Sequence, residues 1–395
     1  MGVIREGDNI RRLRSRINSG LPEPGVVGAT APKRRTVTPL TFRWPAPVPS
    51  GRKAGLCSRF PPPVRYREQD RDERRRPCDV ENHVFGLLKK TAEAKGRVGL
   101  AFGRDRIALA VVTGSGERAS LERCESIAID PAGSAEALAT AIRAASLPPL
   151  PISVVMSPAD YQLALVEAPE VPPAEMRAAI RWKLKDAIDI QVEDAVIDVF
   201  DVPAQNRGGQ GRMMYAVAAR RDAIDRYAAA LASAPTFSVV DVPELCLRNL
   251  AAALPAAARG VALVHLGESA ASVVLVQGRT FYFARQIDLQ SALLAAPGDM
   301  AEPSLDAGSI VLELQRSLDY YERHFDQPPI TRIAISPASA RARALSADLA
   351  RETGFEVAAL DLNELLNCPA PVPETAQLEC LLAVGAALRE ERRSL

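Results

Sequence analysis

From residue 97 onward, short runs of β-branched and aromatic residues alternate with tight glycine turns, and longer runs carry apolar side chains three and four apart. The first pattern predicts half-buried strands and the second amphipathic helices. The densest stretch is Gly260–Ile287, GVALVHLGESAASVVLVQGRTFYFARQI. It predicts strands over Val261–Leu266, Ala271–Gln277 and Thr280–Ile287, joined by turns at Gly267-Glu268-Ser269 and Gly278-Arg279. Val and Phe favour pleated backbone, and glycine supplies the positive φ of tight hairpins. The same meander stands earlier, with strands over Arg97–Phe102, Arg106–Thr113 and Arg118–Ile127 and turns at Gly103-Arg104-Asp105 and Gly114–Glu117. In both copies the two turn glycines are eleven residues apart, and each copy leads through a helix to a strand ending in Ser-Pro-Ala, VVMSPA at Val154–Ala159 and IAISPA at Ile333–Ala338. A repeated supersecondary unit predicts an α/β fold of two similar lobes.

Between the copies the pattern predicts a helix over Gly133–Ser146, stopped by Pro148-Pro149, and strands over Ile152–Met156 and Gln162–Glu167. Pro172-Pro173 opens a helix with Met176, Ile180, Leu184 and Ile188 on one stripe. Arg177, Arg181, Lys183 and Lys185 occupy its other faces and are expected to be solvated. Strands over Val196–Val202 and Arg212–Ala218 flank a polar, glycine-rich loop; a helix over Asp222–Leu231, a strand over Val239–Val242 and a helix over Glu244–Leu254 follow. Residues 161–234 thus read as a subdomain inserted into a first lobe spanning 97–258. In the second lobe, 259–390, residues 292–307 read as a loop, and Ile310, Leu314, Leu318, Tyr321 and Phe325 mark a long helix. A strand over Ile330–Ser336, a helix over Ser339–Thr353 ended by Gly354, and a strand over Phe355–Leu360 come next. A closing helix over Glu374–Arg389 turns Leu378, Leu381, Leu382, Gly385 and Leu388 inward, and 391–395 are a tail.

The charge changes the picture of the ends. The 395 residues carry a net +1, but residues 1–83 alone carry +9, leaving an acidic body at −8, which argues against nucleic acid as a partner. Residues 1–83 also hold eleven prolines and almost no apolar periodicity, so they are expected to be disordered; a lipid- or nucleic-acid-binding arm is the alternative. Val84, heading VFGLLKK, is the expected native start, since a valine codon can initiate translation; 84–96 are then a linker. The six cysteines form no CxxC pair and no histidine stands at ligand spacing, so no metal site is expected. Cys124, Cys246 and Cys380 lie in apolar stretches and are expected to be buried thiols. There is no apolar run of about 18 residues and no signal-peptide pattern, so the expected location is the cytoplasm.

Paired lobes with glycine-turned meanders fit the actin-like ATPase (ribonuclease H-like) fold, which clamps a nucleotide between lobes. Backbone N–H groups of the two turns face the phosphates, and a carboxylate beside each turn holds Mg²⁺ or the attacking water. Here Ala101 and His265 stand where those carboxylates belong, and Ser336-Pro337-Ala338 replaces the glycines that let backbone approach an adenosine. Asp105 and Glu268 are the nearest acids that would substitute.

Five pieces carry a family resemblance: RVGLAFGRDRIALAVV, AIRWKLKDAIDIQVEDAVIDVFDVP, FSVVDVPELCLRNLAAAL, ALVHLGESAASVVLVQGRTFYFARQIDL and LELQRSLDYYERHFDQPPITRIAIS. Over about Val84–Glu390 the chain resembles the PilM family of type IV pilus assembly proteins, and within it the MshI branch serving mannose-sensitive haemagglutinin (MSHA) pili. The resemblance implies a cytoplasmic actin-like protein at the inner-membrane face. It implies that the inserted subdomain and first lobe grip the cytoplasmic tail of a PilN-like bitopic membrane protein, as an extended peptide. It also implies ATP and Mg²⁺ as ligands, against which the altered positions speak. Any nucleotide would meet the backbones of Gly103, Arg104, Gly267 and Glu268, with Glu313 and Arg316 beside the adenosine or else packing their helix. The expectation is a non-catalytic scaffold. A working ATPase or sugar-kinase-like enzyme, and a type II secretion component resembling GspL, are the alternatives.

Overall fold

The computed structural model describes residues 96–390, apart from 131–133, 186, 204, 206–210, 232–233, 235–236, 268–269, 289–292, 295–303 and 306. The expectations for 1–83, and those for 84–95 and 391–395, lie outside the described residues. The chain divides into two units, Met1–Lys90 and Thr91–Leu395, and all described residues belong to the second.

The first meander is β1 (Gly96–Phe102), β2 (Arg106–Thr113) and β3 (Ser120–Ala128). Helix α1 (Ala135–Ala144), capped by the Ser134 side chain, returns the chain to β4 (Ile152–Val155). The inserted segment follows with β5 (Tyr161–Glu167), α2 (Pro173–Leu184), β6 (Ala195–Asp201) and β7 (Met213–Arg220). Helix α3 (Arg221–Ala230) leads to β8 (Phe237–Asp241) and α4 (Pro243–Ala253). The second meander is β9 (Val261–Leu266), β10 (Ala270–Gln277) and β11 (Thr280–Asp288). Within the segment expected as a loop, β12 (Leu293–Leu294) pairs antiparallel with β13 (Ser304–Leu305). Then come α5 (Ala307–His324), β14 (Arg332–Ser336), α6 (Ala340–Thr353), β15 (Glu356–Ala359), the single turn α7 (Leu362–Leu365) and α8 (Glu374–Ala387).

The two large sheets share one topology, β3-β2-β1-β4-β8 and β11-β10-β9-β14-β15, with an antiparallel meander joined to two parallel strands. The copies match in detail. Gly103 and Gly267, Gly114 and Gly278, and the bulges at 111/112 and 275/276 all stand 164 residues apart. Gly114 and Gly278 both have positive φ, 75° and 58°, which is why glycine holds the second hairpin turn in each copy. This duplicated pair of sheets is the actin-like ATPase fold.

Strand alternation gives the first sheet two apolar faces. Val98, Leu100, Leu109 and Val111 bury Leu138 and Ile142 of α1 and Tyr227 and Ala230 of α3. Ala108, Ala110 and Val112 lie in the core that contains Leu381, Ala383 and Val384 of α8. The closing helix therefore packs on the first lobe's sheet, while α4, at the end of the first lobe, packs on β9–β11 of the second. Small residues make room for α8, since a Cβ at Gly99 would stand 1.9 Å from the Ala383 carbonyl oxygen. Because α8 is enclosed on several sides, its buried residues do not follow the expected stripe: Gln377, Ala383 and Ala386 are buried and Leu378 is exposed.

The inserted segment divides. Its sheet β5-β7-β6 and α2 form their own core, Met176, Ile180 and Leu184 against Ile197, Val199, Ala216 and Ala218. Helix α3, expected within the insert, packs into the first lobe instead.

Candidate functional site

The two glycine turns end β1 and β9, the corresponding central strands of the two sheets. Gly103 N–H donates to the Arg106 carbonyl oxygen at 2.9 Å, and Gly267 N–H donates to that of Ala270 at 3.0 Å. Both amides are thus committed to closing their own hairpins. Arg104 is exposed at the first turn, and Glu268 lies outside the described residues. Asp105, a candidate substitute acid, is drawn to Arg106, whose Nε lies 3.0 Å from Oδ1. That hydrogen bond, against some desolvation, holds its carboxyl below the usual range. Arg106 also pairs with Glu379 of α8.

At the expected carboxylate positions, Ala101 pairs with Val155 of β4 and packs into the core. His265, its counterpart, pairs with Ser336 of β14, and its Nδ1 lies 3.3 Å from the Ser336 Oγ. Burial lowers the imidazole to about 4, so it is neutral near pH 7 rather than titrating there. A neutral imidazole and a methyl group are poor company for Mg²⁺, which takes carboxylate and phosphate oxygens. The Ser336–Pro337 peptide is cis and offers no N–H donor at residue 337. The described residues at these three places do not fit a magnesium nucleotide. Among the described residues no group of three His, Cys, Asp or Glu side chains is placed to hold a metal ion.

Glu313 and Arg316 are on α5 and do come together. Glu313 Oε2 accepts from Arg285 Nη1 of β11 at 2.6 Å, and Glu313 also pairs with Arg316. These contacts pin the long helix to the edge strand of the second sheet.

The sequence did not point to a buried polar cluster at the ends of β4 and β8. Tyr161 Oη donates to Glu244 Oε2 at 2.7 Å, and Tyr227 Oη donates to Asp160 Oδ2 at 2.5 Å, which also receives Arg226 Nη2 at 3.0 Å. Burial pushes the Glu244 carboxyl up and the Tyr161 phenol well up, with the adjoining carboxylate adding to the latter. Asp241 beside them is buried and paired with Arg389, at the end of α8. Glu244 reads in sequence only as an acid in a helix's first turn, and its partner stands 83 residues earlier.

The inserted module presents a different surface. Its α2 charges are not simply solvated: Arg177 Nε reaches Asp198 Oδ1 at 3.0 Å, Arg181 donates to the Val192 and Ala195 carbonyl oxygens, and Lys183 Nζ donates to that of Glu167 at 3.0 Å. These bonds leave Trp182, 78% exposed, standing out from the helix with Glu175, Ala178 and Lys185. On its other side the module meets the second lobe. Phe200 and Tyr215 both meet Phe281 of β11 edge-on, and Tyr215 Oη accepts from the Ala284 N–H at 3.1 Å. Gln205 Nε2 donates to Tyr320 Oη of α5 at 2.9 Å.

No protein-family model and no curated protein matches this chain. Among solved structures it is similar to one described as a PilM-PilN type IV pilus biogenesis complex, at 21% identity and a TM-score of 0.56, covering 75% of this chain and 98% of that one. At that identity the likeness is one of fold. A Bacteroides thetaiotaomicron protein described as having an actin-like ATPase fold and unknown function matches at 8% identity and a TM-score of 0.42, over 75% of this chain and 100% of that one. The cytoplasmic domain of EpsL, an inner membrane component of the Vibrio cholerae type II secretion system, matches at 14% identity and a TM-score of 0.39, over 75% and 96%. Among the described residues no helix is long and apolar enough to cross a membrane.

Proposed function

We propose that this chain is a non-catalytic scaffold of a type IV pilus assembly platform, PilM-like and of the MshI (MSHA) branch. In this reading it works at the cytoplasmic face of the inner membrane and grips the tail of a PilN-like bitopic protein. The observation that carries the reading is the pair Ala101 and His265: an intact duplicated fold has a methyl group and a neutral imidazole where nucleotide chemistry asks for two carboxylates. Without carboxylates at those two positions, transition-state charge on a transferred phosphoryl group would lack the metal clamp that those positions supply.

Support for the partner comes from the inserted module. The stretch RWKLKDAIDIQVEDAVIDVFDVP runs through α2, the turn after it and β6, and the similar solved complex pairs PilM with PilN. An extended tail would dock there by main-chain hydrogen bonds and side-chain pockets. The test is calorimetric titration of the full chain with a synthetic peptide of the cytoplasmic tail of a PilN-like protein from the same organism, together with a thermal shift in Mg-ATP. Saturable peptide binding and no shift at millimolar nucleotide are expected. A ligand at a hundred times its dissociation constant would add about 2.7 kcal/mol, which such a scan resolves. A clear Mg-ATP shift, or a peptide that does not bind, overturns the reading.

A further inference from the structure

Cys124 lies on β3, the edge strand of the first sheet, half-buried, with its Sγ 3.7 Å from the Ala376 carbonyl oxygen of α8. The Cys124 thiol donates to that oxygen, and Ala376 is one helical turn before Cys380, whose side chain adjoins that of Cys124. The strand register agrees. Cys380 sits beside Leu109 of β2, and Cys124 is paired with the next residue, Ala110. The two sulfurs are thus brought together by helix-on-sheet packing, although their residues are far apart in sequence. Neither is in a disulfide, and Cys380 is fully buried.

Cys124 is half-exposed on the edge strand whereas Cys380 is fully buried, so a small oxidant arriving from solvent meets Cys124 first. The half-exposed partner is therefore the nucleophile and the buried one the resolving thiol.

We infer that Cys124 and Cys380 are an oxidant-responsive pair whose closure to a disulfide staples the closing helix to the first lobe. The oxidant is a hydroperoxide. The Cys124 sulfur attacks the peroxide oxygen, the O–O bond breaks, and Cys124 becomes a sulfenic acid as water leaves. The Cys380 sulfur then attacks the Cys124 sulfur, the S–O bond breaks, and the hydroxyl leaves with the Cys380 proton as a second water. In sum, two thiols and one hydrogen peroxide give one disulfide and two waters. The bond would fix α8, whose chain arrives from the second lobe, on the sheet of the first. It would reinforce the contact made by Asn367, which accepts the Leu121 N–H at 2.9 Å and donates to the Ala119 carbonyl oxygen along the same edge strand.

The experiment treats the purified full chain with hydrogen peroxide at neutral pH, blocks remaining thiols, and maps peptides without reduction. A Cys124–Cys380 crosslink is expected, with a rise in unfolding temperature that dithiothreitol reverses. Cys124→Ser should abolish both crosslink and rise. Recovery of Cys124 as a free thiol or a sulfinic acid, or its linkage to Cys368 on the neighbouring loop, overturns the inference. So does a temperature rise that persists in Cys124→Ser. Because the wild-type map decides alone, a Cys380→Ser variant that fails to fold leaves the result intact.

Discussion

A methyl group on Gly385 would stand 2.5 Å from the backbone carbonyl oxygen of Cys246. Helices α4 and α8 therefore cross in backbone contact, and Asn249 Nδ2 seals the crossing by donating to the Gly385 carbonyl oxygen at 2.8 Å. In an exposed helix interior, Gly→Ala stabilises by up to about 1 kcal/mol. Here the obstacle is backbone, and it cannot swing aside as a side chain can. Gly385→Ala is expected to cost about 1–3 kcal/mol net. Urea unfolding should show a lower midpoint at unchanged slope; a higher midpoint would mean that the two helices part freely.

The Arg389–Asp241 pair holds the end of the same helix against β8, with Asp241 almost wholly buried. Arg389→Met would strand a buried carboxylate, which costs about 3–5 kcal/mol. Asp241→Asn together with Arg389→Met removes both charges, so the double variant is expected to be more stable than Arg389→Met alone. A double-mutant cycle in urea measures the coupling directly. Strict additivity would show that the pair contributes nothing as a pair.

The strands of both meanders were legible because β-branched runs are bounded by glycines that only one backbone conformation explains, as at Gly114 and Gly278. The position of α8 was not. A helix enclosed by a sheet, a second helix and a neighbouring lobe buries Gln377, Ala383 and Gly385 together, and that leaves no stripe to read. The Tyr161–Glu244 and Tyr227–Asp160 contacts were illegible for another reason. They exist only once the inserted module has returned the chain to the first lobe. Charge spacing along a helix predicts solvated Arg177 and Arg181 because it says nothing about the Asp198 carboxylate and the Ala195 carbonyl on a strand folded beneath it.

His265 gives a pH signature. Its folded value, lowered to about 4, lies below the ordinary 6.5, so the unfolded chain binds more protons between those values. The contribution of a neutral His265 is complete above pH 6.5 and is lost as pH falls toward 4, up to about 3 kcal/mol in all. His265→Asn keeps a polar group beside Ser336 without the titration. The variant is expected to lose less stability than the wild type between pH 6.5 and 4.5 in denaturant titrations. Parallel curves for the two proteins would show that His265 titrates alike in the folded and unfolded chain.

Trp182 separates a docking role from a folding role. At 78% exposure its indole adds little to the core, so Trp182→Ala is expected to change unfolding free energy by no more than about 0.5 kcal/mol. If the proposed partner tail lies across α2, the same indole is its natural anchor, since exposed tryptophans dominate interface energies at about 2 kcal/mol or more, roughly a thirtyfold change in affinity. Calorimetry with the tail peptide is expected to show that loss in Trp182→Ala and none in Glu352→Ala, on exposed α6 surface far along the chain from the module. An unchanged affinity in Trp182→Ala would take the outer face of α2 out of the docking surface and move the tail to the junction of β5 with the first lobe. There Gln162 and Asp189 already hold each other through paired side-chain and backbone hydrogen bonds at 3.0 and 2.8 Å, and an incoming strand would have to displace them.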